Sequence, residues 1–208
     1  MSLLTQIATN LEMGDAEMVL SLVEQAITAG IPVDEILNEG LIAGMTVVGH
    51  KFREGEIFIP EVLIAARAMS KGIERLEPLL LKSGVKARGK LLIGTVQDDL
   101  HDIGKNLVSI MFKGAGFEVF DLGVNVPADK FVEEARRHQP DVIGLSALLT
   151  TTMLNMEATI KALRNAGCKA IIIVGGAPVS EEFAQSINAD LYARNAVEGV
   201  DKVLAQMN

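Results

Sequence analysis

Residues 90–116, KLLIGTVQDDLHDIGKNLVSIMFKGAG, join an apolar run to an acidic loop and then to a helical pattern. The run KLLIGTV is short and apolar, as in a buried strand, whereas IGKNLVSIMFKGAG has apolar residues at helical spacing. Between them, three acids and one histidine occupy five positions: Asp98, Asp99, His101 and Asp102. The segment predicts a strand and a helix, with a polar loop at the carboxyl end of the strand.

The same alternation continues to the end of the chain. Four further apolar runs predict strands: FEVFDLG at 117–123, DVIGLSAL at 141–148, AIIIVGG at 170–176 and ADLYA at 189–193. Helical segments separate these runs, one of them predicted at 151–167, and another closes the chain. Parallel neighbouring strands need crossover connections, which such helices supply. We therefore predict a flavodoxin-like, Rossmann-type α/β domain with a five-stranded parallel sheet at residues 91–208.

The first part of the chain has a different pattern. Apolar residues recur at helical spacing through residues 1–84, with Gly30, Pro32 and Pro60 between the segments. This pattern predicts an N-terminal four-helix bundle. Residues 85–90, VKARGK, are basic and contain a glycine, so we predict a linker there.

Composition excludes several classes of function. The chain has 208 residues, of which 49% are hydrophobic, and no apolar run reaches the roughly 18–20 residues of a membrane span. A net charge of -8 and 4% aromatic residues argue against binding to nucleic acid or to an anionic membrane. A single cysteine, Cys168, rules out an internal disulfide framework and fits a reducing compartment. We therefore expect a cytoplasmic protein that binds neither nucleic acid nor membrane.

The topology predicts where a ligand binds. In a flavodoxin-like sheet, ligands lie beyond the carboxyl ends of the first and third strands. The acidic loop follows the first strand, the hydroxyl-rich SALLTTT at 146–152 follows the third, and GGAP at 175–178 follows the fourth. The acidic and hydroxyl-rich loops are therefore expected to face one cleft.

Three ligand classes suit this cleft poorly. The phosphates of a flavin or nucleotide need amides and cations, whereas QDDLHD supplies negative charge. A phospho-acceptor receiver domain has similar architecture, but the third strand ends in Ser146 and no lysine follows the fifth. A hard-metal hydrolase would use Asp98, Asp99, His101 and Asp102, but the later loops supply no second acidic or histidine cluster.

His101 has two interpretations. It is a neutral metal ligand whose other ring nitrogen is held by Asp99, which fixes the tautomer, while Gly104 lets a large ligand approach the helix start. Alternatively, Asp99 and Asp102 are ordinary helix N-terminal residues and His101 is simply solvated. The local pattern leaves both interpretations open.

DLHDIG at 99–104 matches the Asp-x-His-x-x-Gly signature of cobalamin-binding domains, and LSALLTTT and GGAP resemble the two companion motifs of that family. The resemblance implies that His101 coordinates cobalt from below, in place of the corrinoid's own base, and that Asp99 bonds His101. It also implies that the nucleotide tail enters the cleft. The predicted cofactor-binding residues of this domain are Asp99, His101, Asp102, Ile103, Gly104, Ser146, Leu148, Thr150, Thr152, Gly175 and Gly176.

The companion motifs carry specific roles by the same resemblance. Ser146 and Thr150 line the nucleotide tail, and Gly175 with Gly176 makes room for it. Thr152 continues the hydrogen-bond relay from His101 and stands where methionine synthase has a serine. Threonine keeps the hydroxyl group, although its side chain is stiffer.

The N-terminal region adds a second resemblance. MTVVGHKFREGEIFIPEVLIAARAM at 45–69 is similar to the helical cap of methionine synthase and of the corrinoid proteins of methyltransferase systems. In that cap, the matching residues Phe52, Ile59 and Val62 cover the methyl face of the corrin. The resemblance therefore implies a cap that moves for each partner about the linker.

Together the resemblances imply nucleophilic methyl transfer on cobalamin, as methylcobalamin or another corrinoid, with cobalt as the reacting metal. The expected protein is a non-catalytic methyl carrier between a substrate-specific methyltransferase and a second methyltransferase that uses tetrahydrofolate or a thiol. A reductive activation protein is a further implied partner. The methyl donor stays open among methanol, a methylamine, a betaine and a methoxy-aromatic compound.

A cobalamin-binding sensor or regulator with the same two modules is the alternative function. Sensors of this kind usually add a DNA-binding domain, and residues 1–30 are neither basic nor long enough to suggest one. Photoreceptor caps favour tryptophan over the cofactor, and this chain has none.

Overall fold

The computed structural model describes residues 1–83 and 87–207. The chain divides into two compact units, Met1–Ala87 with Gly114–Gly116, and Arg88–Lys113 with Phe117–Asn208. Residue 84, predicted to end the helical bundle, and residues 85 and 86 of the predicted linker lie outside the described residues. Lys90, the last residue of that predicted linker, begins the first strand.

The N-terminal unit is helical, as predicted. Its segments are α1 (Leu3–Glu12), α2 (Ala16–Thr28), α3 (Val33–Glu35), a π-helical segment (Ile36–Ile42), α4 (Ala43–Arg53) and α5 (Ile59–Ser83). Ser2 and Asp15 cap α1 and α2, because their side chains accept the N–H groups of Thr5 and Met18. Helical periodicity predicts the helices but gives no sign of the wider π turn.

The apolar faces of these helices form the core of the unit. Buried residues recur three or four positions apart, as the spacing predicts. They include Ile7, Leu11, Val19, Val23, Ile36, Leu41, Met45, Val48, Val62, Ala65 and Met69. The helical unit therefore has a hydrophobic core of its own.

The second unit is built on a parallel sheet. Its strands are β1 (Lys90–Thr95), β2 (Glu118–Asp121), β3 (Val142–Ser146), β4 (Ile171–Gly175) and β5 (Leu191–Ala193), and their order is β2-β1-β3-β4-β5. All four strand pairs are parallel. The predicted flavodoxin-like architecture is confirmed.

Helices connect the strands. They are α6 (Ile103–Gly114), α7 (Ala128–His138), α8 (Asn155–Asn165), α9 (Glu181–Ser186) and α10 (Ala196–Met207). Buried side chains such as Leu92, Phe131, Ile143, Met156 and Ile172 pack between sheet and helices. The predicted helix at 151–167 begins later, at Asn155, because residues 150–154 form turns instead.

The strand register fixes which residues meet at the carboxyl edge of the sheet. Thr95, the last residue of β1, pairs with Ser146 of β3, and Ser146 pairs with Gly175 of β4. The loops that follow these three strands therefore begin side by side.

No helix within residues 1–83 and 87–207 is long and apolar enough to cross a membrane.

Candidate functional site

The loop between β1 and α6 is organised around the carboxylate of Asp99, which is fully buried. Its Oδ1 accepts the backbone N–H of His101 at 3.0 Å and lies 2.7 Å from His101 Nδ1. Its Oδ2 accepts the backbone N–H of Leu148 at 2.8 Å and the hydroxyl of Thr152 at 2.5 Å. One buried carboxylate thus joins the loop after β1 to the loop after β3.

These contacts determine the tautomer of His101. An ionised carboxylate only accepts hydrogen bonds, so Nδ1 must carry the proton that it shares with Asp99. In the neutral imidazole this leaves a lone pair on Nε2. The His101 side chain is 49% exposed, so the ring extends from the loop as a candidate metal ligand.

The charge of Asp99 is stabilised where it is buried. Burial opposes ionisation, but hydrogen bonds from the Thr152 hydroxyl, the Leu148 and His101 N–H groups and the His101 ring outweigh it. They hold the pKa of the Asp99 carboxyl well below its usual range. Asp99 is therefore an anion at any physiological pH and fixes the orientation of His101.

Thr152 occupies the turn before α8 and is buried. Besides its bond to Asp99, its hydroxyl lies 3.1 Å from the carbonyl oxygen of Leu149, three residues earlier. Threonine side chains commonly make this local contact, which holds Oγ1 in place. The threonine side chain, stiffer than that of serine, thus reaches Asp99. It does so from a turn, whereas the sequence predicted a helix at this position.

Other predicted residues lie on the loops after β3 and β4. Ser146 is half-buried at the end of β3, whereas Leu148 and Thr150 are exposed. Gly175 ends β4, and Gly176 follows it with φ +135°. These positions share the carboxyl edge of the sheet, so the prediction that they line a nucleotide tail is compatible with their placement.

The structure gives its own reason for glycine at position 176. A methyl group there would lie 1.8 Å from the carbonyl oxygen of Ala147. The loop after β4 approaches the loop after β3 so closely that no side chain fits between them. Gly104, near the start of α6, differs because a methyl group there would meet no atom within 4 Å. The space above Gly104 is therefore open.

Large exposed apolar side chains lie on the loops after β1 and β3. Ile103 is 72% exposed and Leu148 43% exposed. Three similar residues were absent from the sequence prediction: Leu100, Leu149 and Leu154. Their signal in the sequence is the presence of leucine inside otherwise polar loops. Exposed apolar groups on the loop that bears the imidazole and on the loop bonded to it suit a ligand with a large apolar face.

Asp102, the remaining predicted residue of the first motif, is exposed. Its carboxylate accepts the side-chain amide of Asn106 at 3.1 Å, and its carbonyl oxygen accepts the Asn106 N–H at 2.7 Å. Asp102 therefore stabilises the first turn of α6, as the helix N-terminal interpretation predicted for it.

The helical unit holds the three predicted cap residues in different environments. Phe52 is half-buried near the end of α4, and Ile59, at the start of α5, is 40% exposed. Val62 is fully buried, so its side chain belongs to the core of the helical unit. Two exposed neighbours, Phe58 and Leu63, were missed by the prediction.

The carboxylate of Asp99, beside His101, is already occupied by protein donors. Both oxygens of Asp99 accept two hydrogen bonds each. In the part of the chain that the structure describes, no three His, Cys, Asp or Glu side chains group together as metal ligands. The arrangement offers one imidazole supported by a carboxylate.

Comparison with known proteins identifies the family. Two family models, both described as B12 binding domain, match residues 3–77 and 89–201. Trimethylamine corrinoid protein 1 of Methanosarcina acetivorans is 43% identical over 92% of this chain and 90% of its own length. A novel cobalamin-binding protein from Desulfitobacterium hafniense has a TM-score of 0.81 and 32% identity, with 100% and 99% of the chains covered.

A chain of the methanol:cobalamin methyltransferase complex from Methanosarcina barkeri is also similar, with a TM-score of 0.89 and 30% identity. The match covers 99% of this chain and 79% of that one. The protein has the helical and α/β architecture of B12-binding proteins. It belongs to the corrinoid proteins of methyltransferase systems.

The site fits a corrinoid. The ring of His101 offers one nitrogen ligand in a fixed tautomer, as a carboxylate-supported imidazole does for metals. The start of α6 is open at Gly104, and exposed leucine and isoleucine side chains flank it. Cobalamin binding thus agrees with the donor chemistry and with the space available.

The buried charge of Asp99 predicts a pH-dependent contribution to stability. Asp99→Asn should lower the free energy of unfolding of the cofactor-free protein by about 2–3 kcal/mol near pH 7, because charge-assisted bonds are lost. The folded-state pKa lies below the unfolded value of about 3.9, so this stabilisation is present above that value and lost as the pH falls through the folded pKa.

Urea unfolding between about pH 7 and pH 2.5 measures the difference. We expect the gap between the wild type and Asp99→Asn to narrow below about pH 4. The matched control is Asp98→Asn, an exposed position where the change should stay within about 0.5 kcal/mol. A gap that stays constant over the whole pH range would contradict the assignment.

Two glycine variants separate folding from ligand space. Gly176→Ala should lower the free energy of unfolding by about 1–3 kcal/mol or more, because it adds backbone strain and a clash with Ala147. Gly104→Ala should leave it unchanged or raise it by up to about 1 kcal/mol, since alanine favours the helix. Denaturant unfolding of the cofactor-free variants tests both, and equal destabilisation would show that Gly104 is required by the fold.

Proposed function

We propose that this chain carries methyl groups between two separate methyltransferases, with His101 as the protein ligand to the cobalt of its corrinoid. The observation that carries the proposal is the continuous hydrogen-bond relay Thr152–Asp99–His101, which ends on a half-exposed imidazole. Membership of the corrinoid protein family supports the carrier role.

A bound corrinoid would supply the cobalt ion that accepts and donates the methyl group. The chain supplies the ligand and controls its proton. With Nδ1–H held by Asp99, His101 presents Nε2 to the metal.

The helical unit is proposed to act as the cap over the methyl face. Of the three residues that the cap resemblance implies, Phe52 and Ile59 keep partly exposed side chains and stay candidates for this contact. Phe58 and Leu63 are added to them because they are apolar, exposed and next to Ile59. Val62 is proposed instead to support these residues from the core.

The donor is proposed to be a methylated amine. The relatives that match by sequence include trimethylamine and dimethylamine corrinoid proteins, at 43% and 45% identity. The proposed partners are an amine-specific methyltransferase, a second methyltransferase that acts on a thiol or tetrahydrofolate, and a reductive activation protein. The donor enzyme selects the substrate, while this chain provides the surface on which that enzyme acts.

The ligand assignment is tested by electron paramagnetic resonance of the cobalt(II) holoprotein. The wild type should show hyperfine splitting from one axial nitrogen, and uniform ¹⁵N labelling of the protein alone should change that pattern. His101→Ala should lose the protein nitrogen, whereas His138→Ala, which removes a histidine bonded to Glu134, should keep it. A pattern that does not respond to ¹⁵N labelling would assign the nitrogen to the corrinoid's own base and overturn the proposal.

The carrier role is tested by stoichiometry. The reduced holoprotein, mixed with a trimethylamine-specific methyltransferase and trimethylamine, should release dimethylamine in an amount equal to the bound corrinoid and then stop. Adding a thiol-dependent second methyltransferase together with its thiol, which accepts the methyl group, should restart release, measured by nuclear magnetic resonance. Methanol with a methanol-specific methyltransferase is the comparison donor. If methanol but not trimethylamine reacts, the donor class is wrong and the carrier role stands. If neither reacts, both fail.

A further inference from the structure

The loop that follows β2 contacts the segment just before His101. The side-chain Oδ1 of Asn125 accepts the backbone N–H of Asp98 at 2.8 Å. The backbone N–H of Asn125 donates to the carbonyl oxygen of Asp99 at 2.9 Å. One residue therefore holds two successive residues of the ligand loop, and neither contact belongs to the relay through Thr152.

The contact joins two strained residues. Asp98 has φ +66° and Asn125 has φ +54°, both in the left-handed region that side chains usually avoid. Asparagine and aspartate enter this region more easily than most residues. Such conformations persist where the surroundings fix them, and they concentrate at functional sites. Here the bond from Asp98 to Asn125 fixes the turn that leads into Asp99.

The loop that bears Asn125 is itself firmly anchored. Lys105 of α6 has a side chain that is only 2% exposed, and its ammonium bonds Asp121 at the end of β2. The other oxygen of Asp121 accepts the N–H of Gly123 at 2.8 Å, and the Gly123 carbonyl accepts the N–H of Thr95 at 3.0 Å. The Thr95 hydroxyl donates to the carbonyl oxygen of His101 at 2.8 Å. The base of the loop is therefore tied to the segment on both sides of Asp99.

We propose that Asn125 is a positioning residue for the metal ligand His101. It holds Asp98 and Asp99 so that the imidazole returns to one place each time it rebinds the metal. The inference rests on the proposed function, since it requires His101 to be the ligand. Asp99 fixes the ring through its carboxylate, whereas Asn125 fixes the backbone that carries Asp99.

The test is the cobalt(II)/cobalt(I) midpoint potential of the holoprotein. Asn125→Gly keeps the left-handed backbone and the N–H but removes the acceptor for Asp98. The binding constant of His101 for cobalt(II), the oxidised form of this couple, should fall about fivefold, which is the effect of one lost hydrogen bond. At 59 mV per tenfold for one electron, the potential should become less negative by about 40 mV.

Asn188→Gly is the matched control. Asn188 also has a positive φ, +57°, and lies in the turn after α9, where its N–H donates to the carbonyl of Gln185 at 3.1 Å. The same substitution there should leave the potential unchanged. Asn125→Asp keeps an oxygen acceptor and a tolerance for the left-handed region, and its added negative charge favours a more negative potential, so it should not show the shift to a less negative value.

A double variant separates the two proposals. In a His101→Ala background, Asn125→Gly should shift the potential no further, because its effect acts through His101. If His101→Ala alone leaves the potential unchanged, the proposed ligand is wrong. If His101→Ala shifts it but Asn125→Gly does not, or if the two shifts add, only the positioning role of Asn125 is overturned.

Discussion

The buried carboxylate of Asp99 is the interaction on which the rest of the site depends. An uncompensated charge in this position would cost several kcal/mol, so the fold must bring donors to both of its oxygens. These donors come from three places: His101 in the same loop, the backbone of Leu148 and the hydroxyl of Thr152. They converge only because β1 and β3 are neighbours in the sheet. The requirement to satisfy one charge therefore fixes the loops, the tautomer of the imidazole and the direction in which it extends.

Much of the fold could be predicted from the sequence because its elements carry strong local signals. The five strands are short apolar runs, and the helices between them make parallel pairing the simplest arrangement. Prediction was less accurate where side chains have uses other than helix formation. The spacing of residues 151–154 suits a helix, yet Thr152 bonds Asp99 and Leu149 from a turn, and α8 begins at Asn155. The π turn at Ile36–Ile42 leaves no comparable trace, because it changes the hydrogen-bond pattern rather than the residue types.

In the candidate site, too, the contacts with a local sequence signal could be predicted and the others could not. The pairing of Asp99 with His101 could be predicted because the two residues are close in sequence and their types suit a supported imidazole. The contribution of Leu148 could not, since its donor is a backbone N–H that every residue but proline possesses. Asn125 was missed for a related reason: it lies in another loop and contacts mostly backbone atoms. Motif matching selected Val62 because it is apolar, as a residue that covers a corrin must be. Val62 nevertheless lies on the face of α5 that packs into the core of the helical unit, together with Ala65 and Met69.

Within two residues the chain passes from a fully buried carboxylate at Asp99 to a half-exposed ring at His101. A ligand that is released and bound again, as we propose for His101, needs this combination. The ring must be accessible to the metal, while the groups that orient it must not move with it. The left-handed residue Asp98 turns the chain directly before the buried Asp99, and α6 begins at Ile103, two residues after His101. The strain at Asp98 is thus the conformational cost of placing a fixed anion beneath an accessible imidazole.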